Sequence, residues 1–173
     1  KGNIAVNLQD NIDRRLLRFM GDGAGYAYLS MQQAINDSGL ENKDVSNVKS
    51  GLVVGSGGPS TSNMMKSFDT AREKSPKRVG PYMVPKCMSS TVSANLANSF
   101  EIKGLNFSIT SACSTSAHCI TVGSDAIRNG TQDIIFAGGG EEIHWSLSVL
   151  FDAMAALSSK YNKKPTLSSR PYD

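Results

Sequence analysis

The stretch from Leu105 to Asn129 constrains the fold of this chain more than any other part of the sequence. Its first half alternates apolar and polar side chains, which is typical of a β-strand with one covered face. Its second half, from Ser114 onward, places apolar and small side chains at helical intervals, and Gly130 is a natural C-terminal stop for a helix. The pattern therefore predicts a strand, a tight turn and a helix in direct succession. The apolar positions of the predicted strand are Leu105, Phe107 and Ile109.

Cys113 lies on the predicted turn, between small residues. Backbone N–H groups surround a side chain in that position, and the positive end of the helix dipole lies beneath it. Both features stabilise a thiolate, the nucleophilic form of cysteine. A strained turn that presents the attacking atom at a helix N-terminus is also the elbow of the α/β-hydrolases. Because free cysteine is among the most buried residue types, the local pattern leaves nucleophile and core residue as equal alternatives.

The histidines offer no clear partner for Cys113. His118 lies on the same predicted helix, roughly 140° around it from the cysteine at ~100° per residue, so we expect its ring to face elsewhere, into the core. His144 follows a different predicted strand, and its position relative to Cys113 is open. The spacing of the cysteines and histidines differs from that of zinc sites, so no metal is predicted. No motif predicts a cofactor.

Two glycine-rich segments, Gly55–Gly58 and Gly138–Gly140, each follow a predicted strand. Neither has the spacing of a dinucleotide-binding or phosphate-binding loop. We interpret both as tight turns, with Gly58 a candidate wall of a substrate pocket.

Charge and composition exclude several classes of partner. A net charge of +3 is too small to indicate nucleic acid, and the basic segments carry few aromatic side chains for base stacking. The longest apolar run, near Val149 to Leu157, is too short to cross a bilayer. Three cysteines without a C-x-x-C pair are typical of a reduced protein, so we expect a soluble, cytoplasmic one. Two basic clusters are ordinarily solvated faces but would suit an acidic partner: Arg14, Arg15 and Arg18, and then Arg72, Lys74, Lys77 and Arg78.

The order of predicted elements favours an α/β architecture with a central, largely buried sheet. Two apolar runs, Gly51–Gly55 and Asp133–Gly138, are typical of strands covered on both sides. Before the first apolar run we predict a weak strand over Lys1–Gln9, helices over Asn11–Met20 and Ala24–Ser38, the second capped by Asp22, and a polar loop over Glu41–Ser50 with room for a helical turn. After it we predict a helix that follows Ser60, with Met64, Met65, Phe68 and Ala71 facing inward, and an extended segment between Pro81 and Pro85. Two further helices are predicted over Lys86–Phe100 and Ser148–Leu157.

The segment Thr110–Cys119 reads Thr-Ser-Ala-Cys-Ser-Thr-Ser-Ala-His-Cys. It resembles the active-site signature of the β-ketoacyl-acyl-carrier-protein synthases of the thiolase fold, and above all that of the elongating synthase I type. The similarity covers essentially the whole chain. Its other parts are Ile12–Arg15, Arg18–Met20, Gly55–Gly58, Val79–Tyr82, Gln132–Glu142 and Phe151–Ser158.

The resemblance implies an α/β fold in layers, α-β-α-β-α in an intact synthase. Members of the family are more than twice this length, so residues 1–173 are expected to be part of the N-terminal half, which carries the nucleophile. The strand that opens that half would precede Lys1. The two histidines that handle decarboxylation, and a second oxyanion donor, would lie in the C-terminal half. We therefore expect the piece alone to be unstable and inactive in condensation.

The resemblance also implies a role for each matching position. Cys113 would accept the acyl chain from the phosphopantetheine of a carrier protein, and its own N–H would be half of an oxyanion hole. Phe151 matches an aromatic gate beside the malonyl site. Met88 and Gly58 match positions along the acyl-chain pocket, which Met88 would approach across a dimer interface. The strand Leu105–Ser111 would lie at the two-fold axis of a homodimer. The residues that match a basic surface for the acidic carrier protein are Arg14, Arg15, Arg18, Lys74 and Lys77.

The activity implied by the resemblance is a decarboxylating condensation. An acyl group on Cys113 is attacked by the carbanion from malonyl-carrier protein, and the product is two carbons longer. Two alternatives remain open. One is a thiolase-fold acyltransferase that does not decarboxylate, or a partner subunit without elongating activity. The other is a non-catalytic piece that serves dimerisation and carrier docking.

Overall fold

The computed structural model describes residues 4–173, which divide into two compact units. The larger unit runs from Asn7 to Glu142, and the smaller one combines the described N-terminal residues with Ile143–Asp173. The helices and strands in chain order are α1 Leu8–Asn11, α2 Arg14–Leu17, α3 Asp22–Ser38, α4 Asn42–Val45, β1 Ser50–Gly55, α5 Thr61–Glu73, α6 Met83–Cys87, α7 Thr91–Ser99, β2 Asn106–Phe107, α8 Thr115–Arg128, β3 Ile134–Gly139 and α9 Trp145–Ala153. Short 3₁₀ turns lie at Pro76–Arg78 and Pro165–Leu167.

The larger unit is built around a parallel sheet in the order β2-β1-β3. Strand β1 is central and all its residues are buried, as its continuous apolar run predicts. It pairs with β2 through Leu52 opposite Asn106, and with β3 through Leu52 opposite Phe136. The strand predicted over Asp133–Gly138 is thus confirmed as β3, but its predicted burial on both sides is wrong, since no residue of β3 is fully buried and Ala137 and Gly139 are exposed.

Helices cover both faces of this sheet. Leu52 and Val54 point to one face and join a core that α3 and α7 complete; the buried members of that core are Leu8, Ile12, Met20, Ala24, Ala27, Met31, Leu52, Val54, Val92 and Leu96. Val53 points to the other face, because side chains alternate along a strand. There α8 packs closely enough that a Cβ on Gly123 would lie 2.7 Å from the Ile135 side chain. The α/β class and the layered arrangement predicted from the sequence are confirmed in this unit.

The first described residues differ from the prediction. The weak strand over Lys1–Gln9 is wrong where it can be judged, since residues 4–7 form no strand and α1 begins at Leu8; Lys1 to Asn3 lie outside the described residues. The helix predicted over Asn11–Met20 is wrong in its bounds, since α1 ends at Asn11 and only α2 lies inside the predicted range. A new helix starts there because the Asp13 carboxylate accepts the Arg15 N–H at 2.7 Å.

Helix α3 confirms the prediction over Ala24–Ser38, with two refinements. Its cap is Gly21, so the assignment of Asp22 as the cap is wrong; Asp22 lies in the first turn, where its charge suits the helix dipole. Gly39 ends the helix in the left-handed region at φ 70°. The polar segment after it does contain a helical turn, α4, closed by a capping box between Glu41 and Asp44.

The segment from α5 to α7 shows the largest departures. Phe68 of α5 is 53% exposed, so its predicted inward direction is wrong, whereas Met64, Met65 and Ala71 are partly buried. The segment predicted as extended contains α6, in which Pro85 occupies the first turn, where its missing N–H is not needed. The helix predicted over Lys86–Phe100 is interrupted because Met88 leaves the helical region at ψ 148°. Its second part is α7, with Val92 and Leu96 buried as predicted.

The smaller unit contains α9 and a polar tail. Helix α9 begins and ends earlier than the predicted Ser148–Leu157. His144 caps it, since its Nδ1 accepts the Ser146 N–H at 3.4 Å. The helix ends before Ala155, which adopts a left-handed φ of 58°.

Candidate active site

The predicted strand–turn–helix around Cys113 is present, with a shorter strand than expected. Strand β2 contains only Asn106 and Phe107, and it lies at the edge of the sheet that the structure describes. The predicted strand over Leu105–Ser111 is therefore wrong in its length. Beyond Phe107 the chain bends toward β1, so that a Cβ on Gly55 would overlap the Ile109 carbonyl oxygen. The bend carries the chain directly into the turn that presents Cys113.

Cys113 is exposed on a turn closed by two backbone hydrogen bonds. Ser114 N–H donates to the Ser111 carbonyl at 3.1 Å, and Thr115 N–H donates to the Ala112 carbonyl at 3.2 Å. Ala112 has a φ of 48°, in the region that favours glycine. Strained backbone of this kind persists only where neighbouring contacts hold it, and it concentrates at functional sites.

Thr115 supplies such contacts, and the sequence patterns did not single it out. Its hydroxyl accepts the Ser111 N–H at 2.9 Å and donates to the Ala112 carbonyl at 2.8 Å. The residue is only 4% exposed. One side chain therefore bridges both sides of the strained residue. The available signal was a hydroxyl at the first helical position after a predicted elbow, which also suits a simple helix start.

The other two cysteines differ from Cys113 in exposure. Cys119 is fully buried, and burial raises the pKa of its thiol, against smaller opposing effects of hydrogen bonds with Ile109 and Gly138. Cys87 is half-buried, and burial followed by the charge of Glu142 raises the pKa of its thiol. A raised pKa disfavours the thiolate, so neither is suited to attack a substrate. His118 is exposed, and its predicted position in the core is wrong.

The first glycine-rich segment lies directly beside the elbow. A Cβ on Gly57 would lie 3.3 Å from the Ala112 carbonyl oxygen, so the two loops are in contact there. Gly58 has open space around its Cβ position, with nothing within 4 Å. Gly55 is the last residue of β1, and any larger side chain there would collide with the Ile109 carbonyl, which explains why the end of this strand requires glycine.

Two carboxylates that follow β3 hold this loop from the other side. Glu141 accepts hydrogen bonds from Ser56 Oγ at 3.1 Å and from Gly57 N–H at 2.9 Å. Glu142 is 6% exposed and accepts from Ser60 Oγ at 2.7 Å and from Ser62 N–H at 2.9 Å, at the start of α5. Local sequence patterns do not reveal a role for either residue, because their partners lie some 80 residues earlier in the chain.

Met88 and Phe151, two further predicted site residues, are distant from Cys113 in the sequence. Met88 is half-buried at the break between α6 and α7, and its neighbour Ser89 accepts a hydrogen bond from Ser108, on the way to the elbow. Phe151 lies on α9 in the smaller unit and is 40% exposed. The roles proposed for Met88, Gly58 and Phe151 stay predictions.

The predicted carrier-docking residues are all exposed; they are Arg14, Arg15, Arg18, Lys74 and Lys77. The Arg18 guanidinium lies 4.9 Å from the Phe19 ring and 5.2 Å from the Tyr82 ring. Tyr82 follows the second basic cluster in the chain, so this cation–π contact brings the segments of the two clusters together. Arg15 is partly engaged by Asp13 at 3.4 Å.

Within residues 4–173, no group of three or more His, Cys, Asp or Glu side chains is arranged to hold a metal ion. Over the same range, no helix is both long and apolar enough to cross a membrane.

A sequence profile identifies the family of this chain. The profile of the beta-ketoacyl synthase N-terminal domain matches residues 6–173. The chain therefore belongs to the β-ketoacyl synthase family, and the resemblance noted in its motifs is confirmed.

Two curated relatives show which type of synthase the chain is similar to. The chain is 50% identical over 173 residues to 3-oxoacyl-[acyl-carrier-protein] synthase 1 of Haemophilus influenzae, covering 99% of this chain and 43% of that protein. It is 50% identical over 174 residues to the Escherichia coli protein of the same name, with the same coverage. The chain thus spans less than half the length of the curated relatives that it matches.

Solved structures confirm the fold. The chain matches a β-ketoacyl synthase from Burkholderia phymatum with a TM-score of 0.85 and 26% identity, over 98% of this chain and 41% of the other. A type II PKS acyl-carrier protein in complex with its ketosynthase gives a TM-score of 0.77 at 18% identity, over 91% of this chain and 45% of the other. The predicted thiolase-type α/β fold, covering its N-terminal part, is therefore confirmed.

Proposed function

We propose that the protein containing this chain is an elongating β-ketoacyl-acyl-carrier-protein synthase, a transferase of fatty-acid synthesis, with Cys113 as its nucleophile. The single observation that carries the proposal is the exposed thiol of Cys113 on a strained elbow before α8, within a chain that matches the family from residue 6 onward. The 50% identity to synthase 1 proteins supports elongation as the activity.

The first half of the proposed reaction is acyl transfer to Cys113. The thiolate attacks the thioester carbonyl of an acyl group on the phosphopantetheine of a carrier protein. A new carbon–sulfur bond forms, the carrier's own carbon–sulfur bond breaks, and the carrier thiol leaves with the proton that Cys113 gave up. The Cys113 backbone N–H is one donor to the oxyanion formed on the way, and such donors contribute strongly to acyl transfer.

The second half is condensation. Malonyl-carrier protein loses carbon dioxide, and the resulting carbanion attacks the acyl thioester on Cys113. A carbon–carbon bond forms and the Cys113 thiolate leaves, so the enzyme returns to its starting state. The groups that assist decarboxylation are expected in the part of the synthase outside this chain.

Three residues are proposed to shape the substrate site. Gly58 and Met88 line the acyl-chain pocket, and Phe151 gates the malonyl side. The open space at Gly58 is consistent with a pocket wall. The link from Ser108 to Ser89 brings the Met88 segment close to the chain that leads to Cys113, which supports its role.

A homodimer formed along β2 is part of the proposal. Within the described sheet β2 is an edge strand, and its Phe107 is 41% exposed. An unpaired strand edge with an apolar side chain is a natural site for pairing with a second copy around a two-fold axis.

All three cysteines are free, as expected of a protein that works in the reducing cytoplasm.

The decisive experiment replaces Cys113 with alanine in the full-length protein. We expect Cys113→Ala to abolish acyl loading from acyl-carrier protein, measured as the covalent acyl-enzyme by mass spectrometry. The matched control is Cys87→Ala, which removes a half-buried thiol and should load normally. Loading of Cys113→Ala at the wild-type rate would refute the assignment. Loading by the wild type without release of carbon dioxide from malonyl-carrier protein would instead favour an acyltransferase that does not decarboxylate.

A further inference from the structure

Glu141 ties the end of β3 to the loop that lies beside the elbow. Its carboxylate accepts the Ser56 hydroxyl at 3.1 Å through one oxygen and the Gly57 N–H at 2.9 Å through the other. The Ser56 hydroxyl is also 2.7 Å from the Gly58 carbonyl oxygen, so its one proton is shared between that oxygen and Glu141, and Ser56 is 6% exposed. The loop from Ser56 to Gly58 is therefore closed on itself and fastened to Glu141 at two atoms.

The same loop contacts the strained residue that precedes Cys113. A Cβ built on Gly57 would lie 2.8 Å from Glu141 Oε2 and 3.3 Å from the Ala112 carbonyl oxygen. The Gly57 backbone thus fills the space between the carboxylate and the elbow, with no room for a side chain. Ala112 keeps its φ of 48° only while its surroundings hold it, so the position of this loop matters to the turn.

We propose that Glu141 is a positioning residue for the nucleophile. By fixing the Gly57 backbone it supports Ala112 in its left-handed conformation, and through Ala112 it sets the direction of the Cys113 thiol. The inference rests on the proposed function, because it takes Cys113 as the attacking group. Glu141 acts as a hydrogen-bond acceptor in this role, and its negative charge is not required.

The test uses substitutions at Glu141 in the full-length protein. Glu141→Ala removes the acceptor of both hydrogen bonds. Glu141→Gln keeps one oxygen for the Gly57 N–H and presents an amide N–H to Ser56 Oγ, so it preserves the loop without the charge. The matched control is Glu73→Ala, which removes an exposed carboxylate at the far end of α5.

We expect Glu141→Ala to lower the rate constant for acyl loading of Cys113 by about tenfold, because small errors in the position of an attacking atom slow a reaction strongly. The KM for the acyl-carrier substrate should stay within about twofold, since carrier binding does not involve this loop. Glu141→Gln and Glu73→Ala should load within about twofold of the wild type. If Glu141→Gln loads normally, the slower loading of Glu141→Ala is due to the lost hydrogen bonds and not to the lost charge.

Two results overturn the inference: loading by Glu141→Ala at the wild-type rate, or Glu141→Gln as slow as Glu141→Ala. If Glu141→Ala does not fold, Gly57→Ala tests the same contact, because its methyl group would press on both Ala112 and Glu141; loading by that variant at the wild-type rate also overturns it. Failure of the proposed function looks different, since Cys113→Ala would then still load. Loss of loading in Cys113→Ala with unaltered rates at position 141 removes only this inference.

Discussion

At the residue scale, the elbow depends on a balance between backbone strain and local hydrogen bonds. A left-handed conformation at a residue such as Ala112 costs about 1–2 kcal/mol. Two hydrogen bonds of the buried Thr115 hydroxyl, one with the Ser111 N–H and one with the Ala112 carbonyl, offset that cost. The exposed thiol of Cys113 therefore projects from a turn that these hydrogen bonds hold in place.

This balance predicts that the hydroxyl of Thr115 matters more than its methyl group. Thr115→Val keeps the shape but leaves the Ser111 N–H without an acceptor, and we expect the free energy of unfolding to fall by about 1–3 kcal/mol. Thr115→Ser keeps the hydroxyl and loses only a methyl group, so it should cost about 1 kcal/mol or less. Denaturant titration of the full-length variants measures both. Equal stabilities for the two variants would contradict this account of the turn.

The direction of His118 shows what helical periodicity could not determine. The buried residues of α8 are Thr115, Cys119 and Gly123, which form one narrow stripe. His118 precedes Cys119 and so lies about 100° away from that stripe, on an uncovered part of the helix. The sequence correctly predicted a helix here and placed Cys113 at its start. It could not reveal how wide a face the sheet covers, because that width depends on the neighbouring strands.

At the element scale, periodicity predicted most helices and strands, and side-chain caps shifted their boundaries. Strand β1 and helix α3 agree with their predictions because a continuous apolar run and an amphipathic stripe are strong signals. Asp13 starts α2 inside a predicted helix through a side-chain hydrogen bond, and the extended backbone of Met88 interrupts another predicted helix; periodicity reports neither. The role of Glu142 at α5 was equally hidden, since its partners are distant in the sequence.

The anchoring of α5 by Glu142 yields a stability prediction. Glu142→Ala removes a buried acceptor from Ser60, the N-cap of α5, and from Ser62 in its first turn, and we expect a loss of about 2–3 kcal/mol in the free energy of unfolding. Circular dichroism during denaturant titration of the full-length protein measures the loss. Glu73→Ala, at the exposed opposite end of the same helix, should change stability by less than about 0.5 kcal/mol. A Glu142→Ala variant as stable as this control would show that the contact contributes nothing.

At the scale of the whole molecule, the proposed carrier surface draws on two segments that are far apart in sequence. Arg18 packs on Phe19 and Tyr82, so its guanidinium is held in place before any partner arrives. Lys74 and Lys77 lie on the segment that leads to Tyr82 and are exposed. An acidic partner that bridges both clusters therefore meets one charge, that of Arg18, with little conformational freedom left to lose. The sequence revealed the two clusters but not the aromatic contact that joins their segments.

Binding of acyl-carrier protein should therefore depend on salt and on these residues. We expect the double variant Arg18→Ala and Lys77→Glu to weaken binding to the full-length protein at least tenfold at low ionic strength. The difference from the wild type should shrink at high salt, because screening weakens the attraction in both. The control Lys103→Glu changes an exposed lysine outside both clusters and should bind normally. Isothermal titration at two salt concentrations measures this; binding insensitive to salt would refute the docking surface.

The contacts that hold the loop beside Cys113 also bear on how the protein folds. Glu141 reaches Gly57 across 84 residues of chain, and the elbow lies between them in the sequence. Contacts of such long range require a large loop to close, which makes them slow to form. During synthesis the elbow leaves the ribosome before Glu141 does, so its thiol is at first that of an ordinary unfolded segment. If Glu141 positions the turn as proposed, its support of Gly57 forms only after β3 has docked, when most of the surrounding sheet exists.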